Sequence, residues 1–208
     1  MSATSLTAPF RRLAPAVAAT PDLRSVLRNA TAGDHARLDA LFGQCDLQTL
    51  PGYRRFLEAH AEAVLPLETA LANSGVERLF PDWSSRSRSR ALSDDLEGLG
   101  SEARRFPTLP RLDFGGVLGT MYVLEGSRLG ARFLLPRVQQ SPDPAVAGAT
   151  AYLSHGAGSR LWPSFLDLLE QHATTLGDPA KAVAAARRTF NLFEQAAMRL
   201  AGCGMACP

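Results

Sequence analysis

Of the four histidines, His35, His60, His155 and His172, His35 has the setting best suited to ligation. It lies on or beside a stripe of Leu27, Thr31, Leu38 and Phe42, whose spacing marks one face of a helix. A neutral imidazole is a good ligand for a transition metal. Arg28 stands seven residues earlier, two turns away and about 10 Å along a helix axis. One face therefore offers a nitrogen donor and a fixed cation at a separation close to that between a haem iron and its propionate edge. A lone histidine on an apolar face also has a plain structural reading.

The second pattern lies in FGGVLGTMYVLEGSRLGARFLLPRV, residues 114 to 138. Glycine costs a helix about 1 kcal/mol relative to alanine, yet Gly115, Gly116, Gly119, Gly126 and Gly130 fall in one helical pattern. Gly115, Gly119, Tyr122, Gly126 and Gly130 recur every three or four residues and so share a face. Arg137 follows two turns later on roughly that face. Two readings fit: close packing of another helix against small residues, or a flat ligand lying on bare backbone. The segment is not a serine-hydrolase elbow, because Ser127 is not centred between glycines as required. Nor is it a phosphate loop, since no Gly-Lys-Ser/Thr follows.

The elements that carry these residues read as helices. One begins at Asp22 and carries His35. A second runs from Tyr53 to about Asn73, after the Pro51-Gly52 punctuation, with Pro66 expected to kink it. Ala91 to Leu99 forms a shorter helix with Ser93 as its possible cap, and Leu112 to Val138 a long one. Gly148 to Ala173 is helical with breaks at Gly156 to Gly158 and at Pro163. Pro179 opens the last helix, which reaches about Leu200. No alternating strand pattern, repeat or second domain emerges. The expected architecture is an all-α, single-domain bundle of about seven to eight helices over residues 22–200. A flexible arm over 1–21 precedes it, and a frayed tail over 201–208 follows.

Bulk properties narrow the classes. The 208 residues suit one domain, with 46% hydrophobic and 20% charged residues. Net charge is +2, which argues against nucleic-acid binding driven by overall charge. The apolar run from Phe114 to Leu124 stops at Glu125, too short to span a bilayer. Three cysteines, Cys45, Cys203 and Cys207, form no disulfide framework and fit a reducing cytoplasm.

Two segments resemble one known family. LRNATAGDHARLD (27 to 39) is similar to the proximal-helix motif of haem oxygenases. GVLGTMYVLEGSRLGARFL (116 to 134) resembles their distal-helix motif, most closely in the bacterial enzymes associated with phytochromes. Spaced elements from Trp83 to Leu96, and RRTFNLFEQ near the end, extend the resemblance to roughly residues 22–200.

The resemblance implies a haem-oxygenase-like fold holding haem b, substrate and cofactor together, between a proximal helix and a kinked distal helix. It implies oxidation of haem to biliverdin, carbon monoxide and ferrous iron, with dioxygen and electrons from a ferredoxin or a reductase. A bacteriophytochrome is an implied consumer of the product, and the chain is expected to act as a monomer or weak dimer without membrane or nucleic-acid partners. Position by position, His35 takes the place of the proximal iron ligand. Arg28, Tyr122 and Arg137 take places near the propionates. Gly126, Ser127 and Gly130 match the distal segment, which lacks a strong acid–base side chain. Phe190 and Phe193 are candidates to wall the haem edge, and Arg88 or Arg90 to join the distal water network. Animal members place an Asp near Ser127; this chain does not.

Other signals are weaker. SSRSRSR (84 to 90) is similar to an arginine-serine tract but reads as a solvated loop ahead of an RNA-binding segment, with a docking surface for an acidic ferredoxin as a further reading. Cys203-x3-Cys207 lacks further ligands, and Cys207-Pro208 falls on the tail. His155 has no acid placed to form a triad. His60 and His172 are expected on exposed or intermediate helix faces. A haem or biliverdin carrier on the same fold would share His35 and the glycine face. A helical interaction domain would use that face for packing alone.

Overall fold

The computed structural model describes residues 22–101 and 106–203. The expected arm over 1–21 lies outside the described residues, as do Cys207 and Pro208. The described residues form nine α-helices and one 3-10 turn, with no strand among them: α1 Leu23–Phe42, α2 Leu50–Asn73, the turn Val76–Arg78, α3 Trp83–Arg86, α4 Ser89–Gly98, α5 Phe114–Gln139, α6 Pro144–Gly148, α7 Ala151–Ser154, α8 Leu161–Leu176 and α9 Pro179–Cys203. The all-helical expectation holds.

Short polar side chains start the helices that matter for the site. Asp22 accepts from the Ser25 amide at 2.6 Å to cap α1, and Asp113 accepts from the Gly116 amide at 2.7 Å to cap α5. Each satisfies an amide that the first turn leaves without a partner. Thr49 caps α2 through the Gly52 amide. That cap draws Leu50, Pro51 and Gly52 into the first turn, so α2 begins earlier than the Pro-Gly pair suggests.

α2 runs on through Pro66, whose ring is buried. Two local expectations are corrected. Pro163 lies in the first turn of α8, where a missing amide costs little. Ser93 is inside α4, which starts at Ser89. The acceptor at that start comes from α2: Glu68 takes the Arg88 amide at 2.8 Å and the Ser89 amide at 2.9 Å.

α9 is the shared neighbour of α1, α2 and α5. Its contacts set a common register. Arg187 donates to the Ala30 carbonyl at 2.9 Å, and Arg37 pairs with Glu194 at 3.1 Å. On α5, the hydroxyls of Thr120 and Thr189 lie 3.4 Å apart. α1 and α5 thus run alongside α9 in the same direction, and they pack on it more extensively than on each other.

The first half of the glycine stripe makes that packing possible. A methyl on Gly119 would sit 2.0 Å from the Ala182 carbonyl oxygen, and one on Gly115 would sit 2.7 Å from the Lys181 Cβ. Here the small-residue reading is correct: α5 and α9 approach backbone to backbone. No helix among the described residues is long and apolar enough to cross a membrane.

Candidate functional site

His35 projects from α1 with its side chain 65% exposed. Its Nδ1 lies 2.9 Å from the Asp39 carboxylate one turn on. With Nδ1–H donating to that carboxylate, Nε2 is the nitrogen left with a free lone pair. The ring meets Phe190 of α9 edge to face, with centroids 6.0 Å apart. Phe190 is buried and forms the floor beside His35. Phe193, the second expected wall, is also buried but packs on His60 at 5.5 Å. Its ring belongs to the core beneath the site.

On α5, Tyr122 marks the point where the stripe turns away from α9 towards α1. Burial pushes its phenol up from the ordinary value, while the charges of Arg24 and Arg28 and the Thr31 hydroxyl pull it down. These charges and the hydroxyl all come from α1, and the Tyr122 ring itself lies 6.0 Å from that of Trp162. Arg28 itself is exposed. Four residues on from Tyr122 the face becomes bare. A methyl on Gly126 would meet only the Trp162 ring, at 3.7 Å, and one on Gly130 would meet nothing within 4 Å. Six residues separate Gly126 from Thr120, a rise of about 9 Å, which carries it beyond the Thr120–Thr189 contact in the direction of the α9 C-terminus. The glycine stripe thus has two jobs: packing at Gly115 and Gly119, an open wall at Gly126 and Gly130.

Beyond Gly130 the same face carries Phe133, 77% exposed, and the exposed Arg137. A phenyl ring left in solvent on the face of an open wall is an unsatisfied apolar surface. α5 runs unbroken from Phe114 to Gln139, through the segment expected to kink.

Behind this wall lies a buried polar network. Arg88 is 2% exposed. Its Nη2 donates to Ser127 Oγ at 2.8 Å and to the Leu124 carbonyl at 3.0 Å, and its guanidinium lies over the Tyr152 ring at 4.9 Å. Ser127 Oγ–H donates to the Leu124 carbonyl at 2.8 Å, so its proton is committed to backbone while a lone pair remains. Arg90 instead points into solvent, 95% exposed, towards Asp94. Of the two candidates, Arg88 is the one that reaches Ser127.

The SSRSRSR tract is therefore not a solvated loop. From Arg86 to Ser89 its side chains alternate, Arg86 and Arg88 reaching inward to α5 and Ser87 and Ser89 tying to Glu68. Ser87 and Ser89 both donate their hydroxyls to Glu68, and Arg86 is fully buried against Asp82 and Glu125. A similar correction applies to His60, which is buried inside a cage of Phe42, Phe56, Tyr152 and Phe193. Its Nδ1 donates to the Phe56 carbonyl at 2.8 Å, and burial pulls its pKa down to about 4. His172 is half-buried, as expected, with Nε2 at 2.9 Å from the Leu79 carbonyl. His155 receives an Arg128 N–H on Nδ1 at 3.1 Å, and burial, then that neighbouring charge, lowers its pKa.

Sequence reasoning missed Asp39, Trp162, Phe133 and the Glu68 and Glu125 carboxylates. Asp39 was findable, since an acid four residues after a candidate ligand reaches its ring. Trp162 comes from a different helix, and nothing in its local pattern points to Gly126.

Comparison with known proteins gives the family and the fold. The sequence profile described as Heme oxygenase matches residues 21–199. The chain is 30% identical over 179 residues to the heme oxygenase PigA of Pseudomonas aeruginosa, covering 83% of this chain and 90% of the relative. It is also 30% identical over 155 residues to a heme oxygenase of Xanthomonas campestris pv. campestris, covering 73% and 90%. The fold superimposes on the NO- and CO-bound heme oxygenase of Neisseria meningitidis with a TM-score of 0.75 at 24% identity, over 88% of this chain and 94% of that one.

The chain belongs to the haem oxygenase family. It is an enzyme of haem degradation, with haem as substrate and biliverdin as product.

Proposed function

We propose that haem b enters the cleft between α1 and α5, with His35 Nε2 as the iron ligand and Gly126 and Gly130 against the opposite face. The carrying observations are the exposed imidazole of α1, oriented by Asp39 and set edge to face on Phe190, and the face of α5 that has no side chain at Gly126 and Gly130. The donor chemistry suits haem: one neutral nitrogen ligand, a flat wall, an uncovered phenyl ring and arginines at the rim. When bound, haem supplies the iron centre where dioxygen is activated, and it is itself opened to biliverdin, carbon monoxide and ferrous iron.

The chain's own contribution is binding, orientation and control of protons. Arg28 and Arg137 are cations for the carboxylate rim, and charge-assisted pairing there limits rotation in the plane. Tyr122 packs beside the Arg28 end. On the distal side Ser127 serves as an acceptor, because its proton already points to the Leu124 carbonyl. Arg88 holds that hydroxyl in place, so a water donating to Ser127 Oγ would be fixed against the wall. No carboxylate or imidazole of the network is turned towards the bare face: Glu125 is bound by two arginines and His155 by one. A site without a strong acid at that position favours attack on the macrocycle over early cleavage of the O–O bond.

Our reading extends to a separate reductant, a ferredoxin or a reductase, and to cytoplasmic action by a monomer or weak dimer. The phytochrome-type distal motif supports a bacteriophytochrome as consumer of the product.

Haem titration followed by turnover with ascorbate or reduced ferredoxin tests the proposal. A sharp Soret band should form and then give way to biliverdin absorption. In His35→Ala the optical and EPR signatures of histidine ligation should vanish. If they persist, another residue is the ligand. If the Soret band forms but never decays under either reductant, the protein carries haem without opening it.

A further inference from the structure

Glu125 and Arg128 bracket the Gly126–Ser127 pair, and both are buried in an ion network that neither ligation nor rim binding requires. One Glu125 oxygen receives Arg128 Nη2 at 3.0 Å and Nε at 3.1 Å, and the other receives Arg86 Nη1 at 2.9 Å. Arg86 is anchored elsewhere: bidentate to Asp82 at 2.7 Å, and to the Leu161 carbonyl and Ser164 Oγ, each at 2.9 Å. Arg128 donates onward to the Arg86 carbonyl and to His155. The side chains of Arg86, Glu125 and Arg128 are 0%, 2% and 8% exposed.

This arrangement meets a mechanical need. The wall at Gly126 and Gly130 has no side chain on its open face to hold it, and glycine is a poor helix former. Rigidity must come from the back. Side chains in water would supply little, but a buried carboxylate with both oxygens accepting from guanidinium groups locks a geometry.

We propose that Glu125 is a positioning residue: by gripping Arg86 and Arg128 it fixes the height and tilt of the Gly126–Ser127 backbone over the cleft. The proposal rests on the reading of that cleft as the haem site, and it assigns the 82–89 segment the role of a strap behind the distal wall. Arg86 is then the strap's anchor on Glu125, with Glu68 tying the other end to α2.

Glu125→Gln keeps the size of the side chain and removes the charge. In the ligand-free variant, amide hydrogen exchange over 126–131 should quicken about tenfold or more, while exchange at the α2–α9 contact stays as in the parent, the pattern of local opening. In the haem-loaded variant, haem affinity should change little, because the ligand side is untouched. Biliverdin formed per electron consumed should fall, with peroxide released instead. A merely structural role would lower the melting temperature without separating those two readouts.

Unchanged exchange over 126–131, or unchanged biliverdin per electron, overturns the proposal. Should Glu125→Gln fail to fold, Arg128→Lys takes its place. It retains one ion pair but loses the fork to Glu125 and the bonds to His155 and the Arg86 carbonyl. It should show a smaller acceleration confined to the same amides, and no acceleration again overturns the role. Absence of haem binding by the parent protein would instead remove the cleft reading, leaving the exchange comparison to decide whether the clamp exists.

Discussion

Gly130→Ala separates the stability of the distal wall from its use. Nothing lies within 4 Å of a methyl placed at Gly130, and the residue is exposed inside α5. Alanine should therefore gain most of the helix-propensity difference, about 0.5–1 kcal/mol. For a chain of this size that raises the melting temperature of the ligand-free protein by roughly 1–4 °C. The same methyl stands on the face that haem must approach. Holding the macrocycle off the backbone should weaken binding about tenfold, or about 1.4 kcal/mol, so one substitution stabilises the protein and impairs its site. Gly119→Ala is the control in the other half of the stripe. Its methyl would fall 2.0 Å from the Ala182 oxygen and 2.9 Å from both the carbonyl carbon and the Ala185 Cβ, so α5 and α9 must separate. Overpacking of that kind costs about 1–3 kcal/mol, and the melting temperature should drop by several degrees. Differential scanning calorimetry and haem titration of both variants measure the contrast. A Gly130→Ala protein that is less stable than the parent, or equally stable but binding haem with unchanged affinity, refutes the division of the stripe into packing and open halves.

Three further predictions concern single side chains. Arg28→Ala should broaden the biliverdin isomer distribution more than it reduces turnover, and chromatography showing one unchanged isomer would count against its rim role. Phe133→Ala should speed haem transfer to an apomyoglobin acceptor about tenfold or more, since covering half of a phenyl ring is worth roughly 2 kcal/mol; equal transfer rates would leave the exposed ring of Phe133 without a ligand to cover it. His60 titrates near 4 in the folded chain against an ordinary value of 6.5, so the unfolded chain binds more protons between those values and stability falls as pH drops through them. Linkage gives a loss of about 2 kcal/mol from this residue between pH 7 and pH 5. His60→Leu should flatten that part of the urea-midpoint profile, and an identical slope in both proteins would show that other groups carry it.

The local order of the chain was largely legible. Apolar spacing located α1 and α5, and Pro179 marked the start of α9, because an amphipathic pattern and a first-turn proline are properties of neighbouring residues. His35, Arg28, Tyr122 and the bare positions of α5 could be picked out for the same reason. The boundaries that moved did so where a distant group intervened. Glu68 of α2 satisfies the amides at the start of α4, so the helix begins at Ser89, ahead of the local cap at Ser93. His60 reads as an ordinary helix histidine until Phe42, Tyr152 and Phe193, from other parts of the chain, enclose it together with Phe56 of its own helix.

The sequence by itself determined that the chain is helical, that one helix carries a candidate ligand and that another carries a face without side chains. Those follow from periodicity and from the chemistry of single residue types. Only the tertiary structure decided which glycines pack and which stay open, because that depends on where α9 ends its contact with α5. It also decided that Arg86 and Arg88 of the 84–90 tract turn inward, since a buried guanidinium needs partners that local sequence does not supply. Glu125, the Leu124 carbonyl and Ser127 of α5 are among those partners, and their distance along the chain is why no local pattern announced them.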